Sequence, residues 1–173
     1  MNENHFALFG LAPAFNIDLT KLERNYRELQ SASHPDRFVS STAAEKLKSM
    51  QTATTVNAAY TALKTPTLRA AYLLGMQGIN VTQETNTHMP ADFLMQQMEW
   101  REALEDFKAE KNVAGLESLL RELRNEAQSL EAELINLFDK KQDVKGATEA
   151  TRKLIFIDKV CADVNKTIGI LED

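Results

Sequence analysis

His34, Pro35 and Asp36 place an imidazole, a rigid ring and a carboxylate on three consecutive residues of a 173-residue chain. Two kinds of chemistry suit such a set. Imidazole and carboxylate could serve as a general base and its orienting group. Alternatively, the three could form a stiff tip made to be gripped by another macromolecule. Asp after Pro is also ordinary turn chemistry, so the flanking residues must decide. The other reactive side chains offer little help. His5 and His88 are far from His34 in sequence, and Cys161 is the single cysteine. One thiol cannot form an internal disulfide or build a zinc site alone. Neither a metal nor a cofactor is expected.

The elements around the tripeptide read as helices. Asp18 is a good N-cap, and Leu19, Leu22, Tyr26 and Leu29 then recur on one helical face. At roughly 100° per residue, Lys21, Arg24 and Arg27 fall on the other side and form a basic, solvated face. Pro35 lacks a backbone N–H and turns its predecessor away from helix, so this helix should end by Ser33. A polar loop, 37–41, follows. Thr42-Ala43-Ala44-Glu45 has the capping-box form that opens a second helix. Leu47, Met50, Ala53, Val56, Tyr60 and Leu63 are its expected apolar face, and Pro66 breaks it. A short helix over 68–74 and a short apolar segment at Phe6, Leu8, Phe9 and Leu11 complete the first half. Two long helices joined by a short loop make an antiparallel hairpin. The tripeptide sits at its open tip, which provides no enclosing pocket for an enzyme.

Bulk properties narrow the classes further. Hydrophobic residues are 43% of the chain and charged residues 26%, as in ordinary folded proteins. No apolar run is long enough to span a membrane, and residues 1–5 lack the basic start and apolar stretch of a signal peptide. The cytoplasm is the expected compartment. Residues 1–75 carry a net charge of +2 and residues 76–173 a net charge of −7. So acidic a second half argues against nucleic acid, whose phosphates call for clustered cations.

The first half resembles a J domain, the module by which co-chaperones activate DnaK-type ATPase chaperones. The matching residues are His34-Pro35-Asp36 followed by Arg37-Phe38, then Val56-Asn57-Ala58-Ala59-Tyr60-Thr61-Ala62-Leu63, then Arg69-Ala70-Ala71-Tyr72. Many J domains have Lys after the tripeptide. Here Arg37 keeps the positive charge. The resemblance implies that His34, Pro35, Asp36 and Arg37, with the basic face of Lys21, Arg24 and Arg27, bind the chaperone.

Gly78, Asn80, Thr82, Asn86 and Pro90 mark residues 77–89 as a linker between residues 1–76 and 90–173. Three helical stretches follow. Leu116, Leu120, Leu123, Ala127, Leu130, Leu134 and Leu137 alternate steps of four and three. Ala150, Leu154, Ile157, Cys161, Val164, Ile168 and Leu171 do the same, with a turn expected over 139–146. Such spacing is the seam of a bundle or coiled coil, and it predicts Cys161 as a buried, inert thiol. On the first of the three helices, Phe93, Trp100, Leu104 and Phe107 form the core stripe. Relative to Phe93, Leu94, Met95 and Met98 fall at roughly 100°, 200° and 140°. They point outward among Glu99, Glu102 and Glu105. Phe156, about 100° from Ile157, extends this strip. Apolar groups left together in water mark a recognition surface or a docking face.

An all-α chain with an N-terminal J domain and a C-terminal antiparallel three-helix bundle resembles the HscB family, the J-type co-chaperones of bacterial iron–sulfur cluster assembly. The motifs are Phe6-Ala7-Leu8-Phe9-Gly10-Leu11, the tripeptide, Phe93-Leu94-Met95-Gln96-Gln97-Met98-Glu99, Arg101-Glu102, and Arg152-Lys153-Leu154-Ile155-Phe156-Ile157-Asp158-Lys159. The resemblance implies a non-enzymatic protein with two partners, the chaperone HscA and the scaffold protein IscU. It also implies that Leu94, Met95, Met98 and Phe156, with Glu99 and Glu102, contact the scaffold. A monomer is expected. The rival readings are an enzyme built on His34 and Asp36, a J protein serving a different client, and a coiled-coil adaptor whose long seams would suit a dimer.

Overall fold

A computed structural model describes residues 4–82 and 89–173. The described residues form α-helices, one 3-10 turn and one π turn, with no β-strand among them. The chain divides into two compact units, Met1–Gly78 and Ile79–Asp173. Of the expected linker, residues 83–88 lie outside the described residues.

The first unit is a helical hairpin with its mouth filled. Helices α2 (Leu19–Ser33) and α3 (Ala43–Lys64) pack side by side, flanked by α1 (His5–Leu8) and α4 (Pro66–Gly75). Asp18 caps α2 by accepting from the Lys21 N–H at 3.0 Å. The Thr42–Glu45 capping box is complete in both directions at 3.2 Å. Phe6, Phe9, Leu22, Val56, Ala59 and Leu63 form the core, and full burial of each large side chain contributes about 1.5–3 kcal/mol. Arg69 is buried as well. Its Nε donates to the Phe15 carbonyl at 2.6 Å and its Nη1 to the Leu63 carbonyl at 2.9 Å. It thereby staples the 10–18 segment to the end of α3.

Three expected core residues are not core. Leu19 is 52% exposed, and Leu47 and Met50 are each 57% exposed. Leu19 is the first residue of α2, ahead of the surface it shares with α3. The other two lie about 180° and 120° round α3 from the buried Val56, away from the face that meets α2. Ser49 marks the limit of contact, its Oγ donating to the Ser33 carbonyl at 2.6 Å.

The second unit is a three-helix bundle of α5 (Ala91–Ala109), α6 (Val113–Ile135) and α7 (Val144–Glu172). α6 touches both neighbours, and its apolar stripe is accordingly wider than one seam. Leu119 is buried along with Leu116, Leu120, Leu123, Leu130 and Leu134, whereas Ala127 is half-buried. α6 continues into a π turn, Asn136–Lys140, that inserts Leu137 into the core, and α7 begins at Val144. The connection is thus shorter than the expected 139–146 turn. On α7 the buried residues are Ala147, Ala150, Thr151, Leu154, Ile157, Val160 and Val164. Val160 replaces Cys161, which is half-buried. α7 packs against both α6 and α5, so its buried face is set by two neighbours and is not confined to the single seam that runs through Cys161. Burial still pushes the Cys161 thiol above its ordinary value, with the Asp158 carboxylate adding to the effect and Arg124 opposing it.

Candidate partner-binding surfaces

The tripeptide is held from below and open from above. The Ser49 hydroxyl fixes the Ser33 carbonyl, the last of α2, and the Ser33 Oγ turns back to the Leu29 carbonyl at 2.8 Å. Both serines are buried. His34 follows in extended conformation (φ −62°, ψ 133°) and caps a single 3-10 turn, Pro35–Phe38. The expected loop is therefore partly helical. Proline at its first position has φ already set and no N–H to satisfy. The Asp36 N–H donates to the His34 Nδ1 at 3.2 Å. With Nδ1 accepting, a neutral imidazole keeps its proton on Nε2, the nitrogen away from that contact. The Asp36 Oδ2 lies 3.5 Å from Nδ1, and the two side chains remain 54% and 88% exposed. The arrangement displays a ring, a donor and a carboxylate in fixed relation, without a pocket around them. Among the described residues no group of three or more His, Cys, Asp or Glu side chains could hold a metal.

Of the basic residues expected beside the tip, Arg24, Arg27 and Arg37 are exposed and Lys21 is half-buried. Arg27 Nη2 pairs with Glu23 Oε1 at 2.7 Å, one helical turn back. Solvent screens such a pair, so it contributes little stability, but it does dilute the positive face. Ser49 is the site residue that sequence reasoning missed. Its signal was its place in the same 3–4 spacing as Val56 and Leu63, occupied by a hydroxyl.

On the bundle, α5 buries Phe93, Trp100 and Leu104 and leaves Leu94, Met95 and Met98 exposed at 45%, 64% and 71%. Glu99 and Glu102 are exposed beside them. Phe156 differs from expectation, because it is half-buried rather than a free extension of the strip. Its ring meets Phe93 edge-on at 6.0 Å and stacks near Trp100 at 6.4 Å, joining α7 to α5. The Arg101 guanidinium lies 5.5 Å over the Phe156 ring and pairs with Asp163 at 2.6 Å. Lys153 lies 5.5 Å over the Phe93 ring. Phe156 is thus a buttress with one exposed side, and the cations on either hand hold the aromatic cluster in place. No helix among the described residues is long and apolar enough to cross a membrane.

A hairpin with an imidazole–proline–carboxylate tip, followed in the same chain by a three-helix bundle bearing an apolar strip, defines a J-type co-chaperone fold. Comparison with known proteins agrees. The family model described as the HSCB C-terminal oligomerisation domain matches residues 89–165. A co-chaperone protein HscB homolog of Paraburkholderia phymatum is 45% identical over 173 residues, covering 100% of this chain and 98% of the relative. Another from Burkholderia thailandensis is 46% identical over 172 residues, covering 99% and 98%. Among solved structures, the chaperone HscB from Vibrio cholerae superposes with a TM-score of 0.84 at 34% identity, covering 98% of this chain and 99% of that one. Human co-chaperone HscB superposes with a TM-score of 0.88 at 27% identity, covering 95% and 82%. The chain belongs to the HscB family of co-chaperones.

Proposed function

We propose that this protein is a two-handed adaptor of iron–sulfur cluster assembly in the cytoplasm. It binds the scaffold IscU through Leu94, Met95, Met98, Glu99, Glu102 and the exposed side of Phe156. Through His34, Pro35, Asp36 and Arg37 it binds the DnaK-type chaperone HscA and stimulates ATP hydrolysis there. It acts as a monomer and catalyses no reaction of its own. What supports the reading is the solvent exposure of both residue sets, each on a rigid helical base, in a member of this family.

Stimulation requires that the tip bind best when the ATPase is poised to hydrolyse, because only differential binding lowers a barrier. The exposed cations Arg24 and Arg37 favour approach to an acidic surface and speed encounter. Carrying the scaffold and the tip on one chain raises the scaffold's effective concentration at the chaperone.

The test is ATP turnover by HscA with this protein and IscU present. His34→Gln removes the imidazole from an exposed turn and should abolish stimulation, while changing stability by no more than about 0.5 kcal/mol. Full stimulation by that variant refutes the role given to the tripeptide.

A further inference from the structure

Beside the tripeptide lies a depression of about 270 Å³ lined by Pro35, Asp36, Val39, Lys46 and Met50. Its apolar members are unusually bare. Val39 is 68% exposed and Met50 57%, and Leu47, one helical turn before Met50, is also 57% exposed. The run of apolar residues in the sequence suggests Leu47 and Met50 for the core, yet they lie about 180° and 120° round α3 from the buried Val56 and face solvent. The surface is rigid, since the Thr42–Glu45 capping box anchors the first turn of this helix. Three apolar side chains held open on a capped helix, next to a tip displayed for binding, form a surface of their own.

We infer that Val39, Leu47 and Met50 form an apolar shelf that docks the same ATPase chaperone as the tripeptide and sets which chaperone is accepted. This rests on the function proposed above. Continuity selects the occupant: Pro35 and Asp36 line both the depression and the tip, so a partner gripping one covers the other. Charge describes the partner further. The Glu45 carboxylate is turned back on the Thr42 N–H, and the exposed cations Arg37, Lys46 and Lys48 outnumber the one exposed carboxylate in the lining, Asp36. The matching surface therefore carries an aliphatic side chain fringed by carboxylates. The tripeptide presents groups that any DnaK-type ATPase could read. The shelf adds contact area that rewards only a partner with a complementary apolar group, and this is how selectivity arises.

The experiment uses the full chain with Leu47→Gln and Met50→Gln together, because glutamine keeps helix propensity on an exposed face. HscA and a general DnaK chaperone are each titrated in single-turnover ATP hydrolysis. For HscA, the concentration giving half-maximal stimulation should rise about tenfold or more, as expected for truncated interface anchors. The saturating rate should be unchanged. Stimulation of DnaK should change by less than about twofold, so that the ratio between chaperones shrinks. Equal stimulation of HscA by variant and wild type overturns the shelf while leaving the tripeptide's role, checked by His34→Gln, intact. Weakened IscU binding in the variant assigns the surface to the client and overturns it too. So does a wild-type dimer in sedimentation that the variant loses, since the occupant is then a second copy. A wild-type chain that stimulates neither chaperone brings down this inference and the proposed function together.

Discussion

Truncating the apolar strip of α5 tests the proposed scaffold site directly. Leu94 leaves 45% of its surface in water and Met98 leaves 71%. A Leu or Met side chain gains roughly 1.5–3 kcal/mol on complete burial. If a partner covers what is bare, those exposed fractions correspond to about 1 kcal/mol for Leu94 and about 2 kcal/mol for Met98. Leu94→Ala with Met98→Ala should therefore weaken scaffold binding by about 2–3 kcal/mol, or roughly 30- to 150-fold in Kd. Titration calorimetry against IscU reads this out. Because neither side chain supports the bundle core, the unfolding midpoint in urea should shift by no more than about 0.5 kcal/mol equivalent. Phe156→Ala should behave differently. Its ring packs on Phe93 and Trp100, so affinity and stability should fall together, the latter by about 2 kcal/mol, half the usual cost of a buried Phe. An unchanged Kd in the double variant, with folding intact, refutes the reasoning.

Three further outcomes follow from particular contacts. Ser49→Ala leaves the buried Ser33 carbonyl without its hydroxyl donor and should cost about 1–3 kcal/mol of stability by urea unfolding. Because that carbonyl immediately precedes His34, stimulation of HscA should weaken as well. Lys111 adopts φ 54° at the end of α5, where the Asn112 N–H donates to the Phe107 carbonyl at 2.9 Å and the Lys111 N–H to the Lys108 carbonyl at 3.2 Å. That is a Schellman cap with lysine where glycine fits best, so Lys111→Gly should raise stability by about 1 kcal/mol. Finally, alkylation of Cys161 by iodoacetamide should be slower at pH 8 than that of a free thiol and should accelerate on unfolding. The raised thiol pKa leaves less of the reactive thiolate at that pH, and unfolding removes the burial that raises it.

The local signals proved strong where chemistry is local. Asp18, the Thr42–Glu45 pair, Pro35 and Pro66 begin or end helices through their own side chains and ring constraints, which act within a turn and need no distant partner. The outward aim of Leu94, Met95 and Met98 follows from helix geometry alone once Phe93, Trp100 and Leu104 are taken as the inner face. What only the tertiary structure decided is which part of each apolar pattern meets a neighbour. Periodicity suggests which residues share a face, but not which face is covered or how wide the covered face is. Leu47 and Met50 precede Val56 by nine and six residues, about 180° and 120° round the helix; the face that α2 covers runs through Ser49, Val56 and Leu63 and leaves them in water. Val160 is buried and Cys161 only half-buried because α7 has two neighbours, α5 and α6, whose combined footprint is not the single seam of the sequence. Arg69 and Ser49 become buried because distant carbonyls, of Phe15, Leu63 and Ser33, lie within reach. Burial is a property of pairs of segments, and the partner's length and path are written elsewhere in the chain.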